Sequence, residues 1–172
     1  MTLKWSIGLM TGTVNDGYID IAALRTDGTD IVEFGPFELS AYKDQSIKEL
    51  IFKTYEEARK WNFESSEPNI FSLTEKKITE EQSAAVEEFI NKHKLKKNEI
   101  SCVGFHGLTV LHRPVDSNNN VGKTRQLGNG QMMSDYLQLP VVNNFRSNDI
   151  DHGGQGAPLA PIYHLALAKY IK

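Results

Sequence analysis

The chain has 172 residues, of which 40% are hydrophobic and 24% charged, with a net charge of -3 at pH 7. This composition predicts one soluble globular domain and gives no electrostatic argument for nucleic acid or an anionic membrane surface as a partner. No apolar run approaches the ~20 residues of a membrane span, and no signal-peptide pattern is visible. The single cysteine, Cys102, excludes an internal disulfide and a multi-cysteine metal site, and it favours a reducing cytoplasm.

The first third of the sequence predicts an antiparallel meander followed by a helix. Residues 3–10, 19–24 and 31–39 are β-prone runs separated by short Gly/Asp/Asn turns. Apolar residues then recur at helical spacing. The predicted buried face of this helix consists of Ile47, Leu50, Ile51, Tyr55 and Ala58.

The middle of the sequence predicts a loop and then a second helix. Residues 62–78 show no clear period, which is typical of a loop with short helical turns. Thr79 and Gln82 have the spacing of a capping box, which predicts that a helix begins there. Its buried side would contain Val86, Phe89 and Ile90.

The last part predicts strands connected by helices. Residues 100–105 form an apolar run typical of a buried central strand, with Cys102 in the core. An excursion hairpin over 109–112 and 124–127, a helix over 131–137, a short buried strand over 140–142 and an apolar helix over 161–171 follow. The order β-β-β-α-α-β-(hairpin)-α-β-α predicts an α/β fold with a mixed sheet covered by helices.

Polar and glycine-rich segments follow the predicted strands at four places. They comprise residues 11–17, His106 with Gly107, residues 126–130 and residues 144–156. Because ligands of α/β sheets bind at the carboxyl ends of strands, the four segments are expected to line one cleft. His106 alone is equally compatible with a hydrogen-bonded structural histidine.

The first segment, Thr-Gly-Thr-Val-Asn-Asp-Gly, has the composition of an anion-binding loop. Its glycines allow backbone N–H groups to approach a phosphate, and Thr11 and Thr13 add hydroxyl donors. Asp16 would hold Mg²⁺, directly or through water. The alternative is that Asn15, Asp16 and Gly17 form only a hairpin turn.

The segment over 141–161 combines charged side chains with three glycines. Arg146, Asp149 and His152 stand beside Gly-Gly-Gln-Gly, in which Gln155 offers a donor and an acceptor to a hydroxylated ligand. This pattern favours close approach of backbone to a ligand. The alternative is a surface loop that caps the last helix.

Four segments in this order resemble a known family. They read GLMTGTVNDGYID, GFHGLTVLHRP, RQLGNGQ and FRSNDIDHGGQGAPLAP. The chain resembles the anhydro-N-acetylmuramic acid kinases of the actin-like sugar kinase superfamily. The resemblance implies the RNase H-like (actin-like ATPase) fold of that superfamily's first domain, over residues 1–172.

The resemblance also implies a cytoplasmic phosphotransferase of peptidoglycan recycling. Such an enzyme transfers the γ-phosphate of ATP, with Mg²⁺, to O6 of 1,6-anhydro-N-acetylmuramic acid while water opens the anhydro ring, giving N-acetylmuramic acid 6-phosphate. The implied phosphate contacts are Gly12, Thr13, Val14, Asn15, Asp16, Gly17, Tyr18 and Ile19. The implied sugar-binding residues are Thr11, His106, Gly107, Arg146, Asp149, Gly153, Gly154, Gln155 and Gly156.

The chain departs from the family pattern in two respects. Family members are longer, and their second domain carries the adenosine pocket and the water-activating base, so no catalytic base is assigned here. Val14, Leu108 and Asn144 replace a serine, a glutamine and an aspartate of the family motifs. Two hypotheses follow: the N-terminal half of a kinase, with a complementing C-terminal half or a homodimer mate as partner, or a non-catalytic relative that binds a sugar or a partner.

The last helix bears on these hypotheses. Residues 161–171 are apolar on most sides, and such a helix needs burial on more than one face. We therefore predict that it leaves an apolar face exposed, on which a second domain or a dimer mate would sit.

Overall fold

The computed structural model describes residues 3–11, 17–115 and 121–171. Its strands are β1 Trp5–Met10, β2 Tyr18–Thr26, β3 Ile31–Ala41, β4 Ile100–Phe105, β5 Leu108–Arg113, β6 Lys123–Leu127 and β7 Val141–Val142. Its helices are α1 Ile47–Trp61, α2 Asn69–Lys92, α3 Gly130–Leu137, α4 Phe145–Asp151 and α5 Pro161–Tyr170. None of the helices in the described ranges is long and apolar enough to cross a membrane.

The main sheet has five strands in the order β3-β2-β1-β4-β7. β1 pairs antiparallel with β2 and parallel with β4, β2 pairs antiparallel with β3, and β4 pairs parallel with β7. β5 and β6 form a separate two-stranded sheet. The predicted meander, the excursion hairpin and the mixed α/β fold of the RNase H-like class are thereby confirmed.

One face of the sheet, the inner face, packs against α1 and α2. Ile7, Ile21 and Val103 lie on neighbouring strands and are at most 1% exposed. They belong to the same core as Ile51 of α1 and Phe89 of α2. This alternation of buried and exposed residues along β1 and β2 is the pattern of strands with one face in a core.

Helix α2 corrects two predictions. The loop predicted over 62–78 is wrong beyond residue 68, because α2 already begins at Asn69. The capping box is also wrong, because Thr79 and Gln82 lie in the interior of a continuous helix. Their side chains are buried and contact loops outside α2, so tertiary contacts explain the polar spacing that resembled a cap.

The segment over 141–161 also differs from the prediction. It contains the helix α4, which the sequence did not suggest, and the preceding Asn144 has the left-handed φ of 59°. The predicted strand over 140–142 is present as β7, but Val142 is 47% exposed and the strand is not buried.

The other side of the sheet, which we call the outer face, is largely uncovered. Its middle consists of small residues, including Gly8, Ala22 and Gly104, which are paired across the strands. Phe34, Phe37 and Leu39 of β3 stand beside them, with exposures of 46%, 81% and 65%. Cys102 lies on this face, half-buried, with Sγ 3.9 Å from Ser6 Oγ, so its predicted place in the core is wrong.

Helix α5 contacts one end of the outer face. Tyr170 meets Phe34 edge-on at 5.0 Å between ring centroids, and Lys169 pairs with Asp30. Ala166 is its one buried residue, whereas Ile162, Leu165 and Ile171, which directly follows the helix, are 61–79% exposed. The predicted exposed apolar face of the last helix is confirmed.

Candidate functional site

A cleft of ≈ 700 Å³ lies between the outer face and helices α4 and α5. Its floor includes Gly8 and Gly104, and apolar side chains such as Leu159 and Ile162 form much of its wall. Polar groups gather at one end, where β1 and β4 reach their carboxyl termini. This polar end contains His106, Asn148, Asp149 and His152.

His106 lines the polar end, and Arg146, which is not among the residues that line the cleft, is hydrogen-bonded to it. Arg146 Nε donates to His106 Nε2 at 3.0 Å, and its terminal NH1 donates to the Gly156 carbonyl at 2.7 Å. Since the guanidinium can only donate, His106 Nε2 must be the acceptor, and the ring proton resides on Nδ1. Nδ1 then donates to the Gly107 carbonyl at 2.9 Å. Both ring nitrogens are thus engaged within the protein.

The surroundings of His106 favour a neutral ring. Burial lowers the pKa of its imidazole below the usual 6.5, and the positive charge of Arg146 lowers it further, against the raising effect of the bond to Gly107. Because the neutral form is the one that accepts from Arg146, geometry and charge agree. His106 in this arrangement holds Arg146 and is not free to act as a base.

This pKa predicts a pH dependence of stability. The unfolded chain takes up a proton on His106 near pH 6.5, whereas the folded chain resists it, so the free energy of unfolding falls as pH drops below about 6.5. Burial lowers the pKa of His112 as well, and its contribution has the same sign. We expect His106→Gln to flatten the decline between pH 7 and 5.5 in urea unfolding. A parallel profile for variant and parent would contradict the assignment.

The segment after α4 is held by Asp149. Its Oδ2 accepts from the Gly156 amide at 2.7 Å, and the carboxylate lies so close to Gly154 that a Cβ there would be 2.1 Å from Oδ2. Gln155 turns away, since its Oε1 accepts from the Val115 amide at 3.0 Å. One packed unit therefore consists of Asp149, Gly154 and Gly156. The exposed residues Gly153 and Gln155 lie outside it.

The third predicted segment, 126–130, contacts the second. Gly107 lies against the chain at Leu127 and Gly128, so that a Cβ on Gly107 would be 2.5 Å from the Leu127 carbonyl oxygen. Leu108, where the resemblance leads us to expect a glutamine, is 1% exposed and contributes to the core. Three of the four predicted segments therefore meet around His106 and Gly107.

Only the ends of the first segment can be described. Gly12, Thr13, Val14, Asn15 and Asp16 lie outside the described residues. Thr11 is buried with its hydroxyl bound to Gln82, the Gly17 carbonyl accepts from the Tyr42 amide, and the side chain of Ile19 is in the core. The exposed Tyr18 and the Lys48 side chain line a depression of ≈ 160 Å³ beside Gly17. The place of Tyr42, Lys48 and Gln82 beside this segment could not be predicted, because nothing in their local sequence pattern links them to it.

Comparison with known proteins identifies the family. The family model described as anhydro-N-acetylmuramic acid kinase matches residues 4–171. The chain belongs to the anhydro-N-acetylmuramic acid kinase family. Members of that name from Brucella anthropi and Rhizobium rhizogenes are each 50% identical to it over 165 residues, and one from Mesorhizobium japonicum is 48% identical.

These alignments cover different shares of this chain and of its relatives. They include 96% of this chain but 44% of each of the three relatives. The chain thus spans less than half the length of the anhydro-N-acetylmuramic acid kinases that it matches. Within that span, the resemblance inferred from the four motifs is confirmed.

Proposed function

We propose that the chain supplies the N-terminal domain of a two-domain kinase that phosphorylates 1,6-anhydro-N-acetylmuramic acid at O6 with ATP and opens its anhydro ring. Family membership over 96% of the chain carries this proposal. The meeting of three motif segments around His106 supports it. Phosphoryl transfer depends on hydrogen-bond donors that hold the substrates in place more than on covalent chemistry by the protein, and such donors come from segments that meet at one site. We place this activity in the cytoplasm, in peptidoglycan recycling.

The polar end of the cleft is the proposed sugar-binding region. Arg146 and Asp149 fix the backbone of residues 154–156, and His106 fixes Arg146, so the region is rigid before a ligand binds. Such preorganisation reduces the entropic cost of orienting a hydroxylated substrate. We propose that Asp149 and the glycine backbone hydrogen-bond the sugar and that the His106 ring, whose nitrogens are both bound within the protein, packs against it through its carbon atoms. Thr11, Gly153 and Gln155 lie at the margin of this proposed region. The water-activating base is assigned to no residue of this chain.

The proposed nucleotide region is the segment from Gly12 to Ile19, with Asp16 near Mg²⁺. In the described parts of the chain, no three His, Cys, Asp or Glu side chains come together as a metal site. A metal here would take most of its ligands from phosphate oxygens and water, which is the usual binding of Mg²⁺ to nucleotides. The ion would neutralise charge on the transferred phosphate. Lys48 beside Gly17 is a further candidate for a phosphate contact.

We propose that the partner is the complementing C-terminal half of such a kinase. The relatives carry more than half of their length outside the region matched here. The outer face and α5 offer the apolar surface for it, since Phe37, Leu39, Ile162 and Leu165 are all more than 60% exposed. Exposed apolar area of this extent is typical of an interface. A homodimer mate on the same surface is the alternative partner.

A coupled ADP-release assay tests the proposal. Residues 1–172 alone are expected to give no sugar-dependent turnover. Mixed with the unmatched C-terminal part of the Brucella anthropi relative, they are expected to release ADP only when the anhydro-sugar, ATP and Mg²⁺ are all present. As a control, Phe37→Asp is expected to prevent association, because it places a charge in the apolar surface while leaving the polar end intact.

Two outcomes contradict parts of the proposal. Turnover of ~1–10³ per second by residues 1–172 alone would refute the need for a complementing half. A mixture that associates but never releases ADP would refute the kinase function. Sugar binding by that inactive mixture would instead favour the non-catalytic relative.

A further inference from the structure

Helix α2 carries a row of polar side chains that point into the protein. Glu75, Thr79 and Gln82 are spaced by four and three residues and therefore share one side of the helix. Thr79 and Gln82 are at most 1% exposed. A polar side chain with so little exposure has to be matched by partners within the fold, and each member of this row has one.

Two members of the row hold the segment over 126–130. Glu75 Oε1 accepts from the Gly128 amide at 3.1 Å, and Thr79 Oγ1 accepts from the Asn129 amide at 3.0 Å. Thr79 donates its own proton to the Glu75 carbonyl at 2.7 Å. This end of the row therefore fixes the backbone that lies against Gly107.

The third member, Gln82, contacts the residue that precedes segment 12–16. Its Nε2 donates to Thr11 Oγ1 at 2.6 Å and to the Tyr42 hydroxyl at 2.9 Å. The backbone amide of the same Tyr42 donates to the Gly17 carbonyl at 3.0 Å. Thr11, Tyr42 and Gln82 are 8%, 3% and 1% exposed. This buried set of hydrogen bonds, which we call the Gln82 clamp, connects Thr11 with Gly17, the two described residues that bracket segment 12–16.

We propose that Gln82 is a positioning residue for nucleotide binding, which it serves by fixing Thr11 and, through Tyr42, Gly17 at a set separation. The assignment rests on the proposed function, in which these residues bracket the phosphate contacts. A primary amide suits the role because its two N–H groups bond two oxygens at once. Methionine fills similar space but donates no hydrogen bond. Gln82 acts through Thr11 and Tyr42 and contacts no substrate.

Amide hydrogen exchange of the whole chain without nucleotide tests the Gln82 clamp. Gln82→Met is expected to speed exchange in the peptide over residues 11–19 by about tenfold, because loss of these bonds allows local opening. Thr11→Val is expected to speed exchange by the same factor, whereas Thr11→Ser, which keeps the hydroxyl, is expected to leave the rate unchanged. The double variant Gln82→Met/Thr11→Val is expected to exchange no faster than either single variant, because both changes remove the same hydrogen bond. Thr74→Val is the matched control, since it removes a buried α2 hydroxyl that bonds Thr54 at 2.7 Å, far in sequence from this segment.

Hydrogen exchange decides whether the Gln82 clamp exists. If Gln82→Met and Thr74→Val change the 11–19 peptide equally, or if that peptide exchanges in the parent at the rate of an unfolded chain, the clamp is refuted. In the mixture with the complementing half, Gln82→Met is expected to raise the KM for ATP at least about fivefold, a change of about 1 kcal/mol in binding. The KM for sugar is expected to change less, because only Thr11, at the margin of the proposed sugar region, is affected there. An unchanged KM for ATP overturns the positioning role. Absence of ADP release by the parent mixture refutes the proposed function, whereas the exchange rates still decide the clamp.

Discussion

Replacement of Gly107 by alanine is expected to lower the free energy of unfolding by about 3 kcal/mol. Gly107 has a φ of +69°, a left-handed conformation that costs an L-residue about 1–2 kcal/mol. The new Cβ would also lie 2.5 Å from the Leu127 carbonyl oxygen, so the backbone of segment 126–130 has to shift, at a cost of about 1–3 kcal/mol. Urea denaturation measures the sum.

Gly28→Ala separates the two costs. Gly28 has a φ of +99°, but a Cβ there meets nothing within 4 Å. It therefore carries the backbone cost without the collision, and we expect a loss of about 1–2 kcal/mol. If Gly107→Ala and Gly28→Ala lowered the free energy of unfolding equally, segment 126–130 would have moved away from the new methyl group at no measurable cost. Close contact between the second and third segments would then not be a rigid feature of the site.

Arg146→Met is the second change with a large expected effect. It removes the donors to His106 Nε2 and to the Gly156 carbonyl, and we expect a loss of about 2–4 kcal/mol, since a buried acceptor left unpaired costs about 1–3 kcal/mol. Removal of the neighbouring positive charge also raises the pKa of His106, although burial, the larger cause, continues to hold it low. Urea unfolding and NMR titration of the His106 ring measure both effects.

Arg146→Lys is the matched control. Lysine keeps the charge but lacks the planar fork that reaches two acceptors in fixed directions. We expect it to leave the pKa of His106 close to that of the parent and to recover only part of the lost stability. If Arg146→Met leaves the His106 titration unmoved, the electrostatic coupling between the two side chains is not real.

The strands and three of the helices could be predicted from local pattern alone. The prediction for β4 matches its observed bounds, and those for α3 and α5 agree to within one residue at each end. β4 is a short apolar run, and proline in the first turn of α5 marks where that helix begins. The start of α2 could not be predicted. Thr74, Thr79 and Gln82 are polar yet buried, so they interrupt the apolar period that would have identified the helix.

The site could be predicted as a set of segments but not as a set of contacts. The expectation that strand ends gather the motifs agrees with the contacts of His106, Gly107 and Arg146. The partners of those segments come from far along the chain. Gln82 is 71 residues from Thr11, and Glu75 is 53 residues from Gly128, and no local spacing encodes such pairs. The roles of individual residues toward ATP and sugar stay predictions.

The polar row on α2 has a consequence for how the gene can change in length. Each added or deleted residue turns the rest of an α-helix by about 100° relative to its start. One codon gained between Phe71 and Glu75 would therefore swing Glu75, Thr79 and Gln82 out of register together, and Phe89 with them. The turn over residues 62–68, where no such row has to be kept in phase, is where insertions and deletions can accumulate in descendants of this sequence.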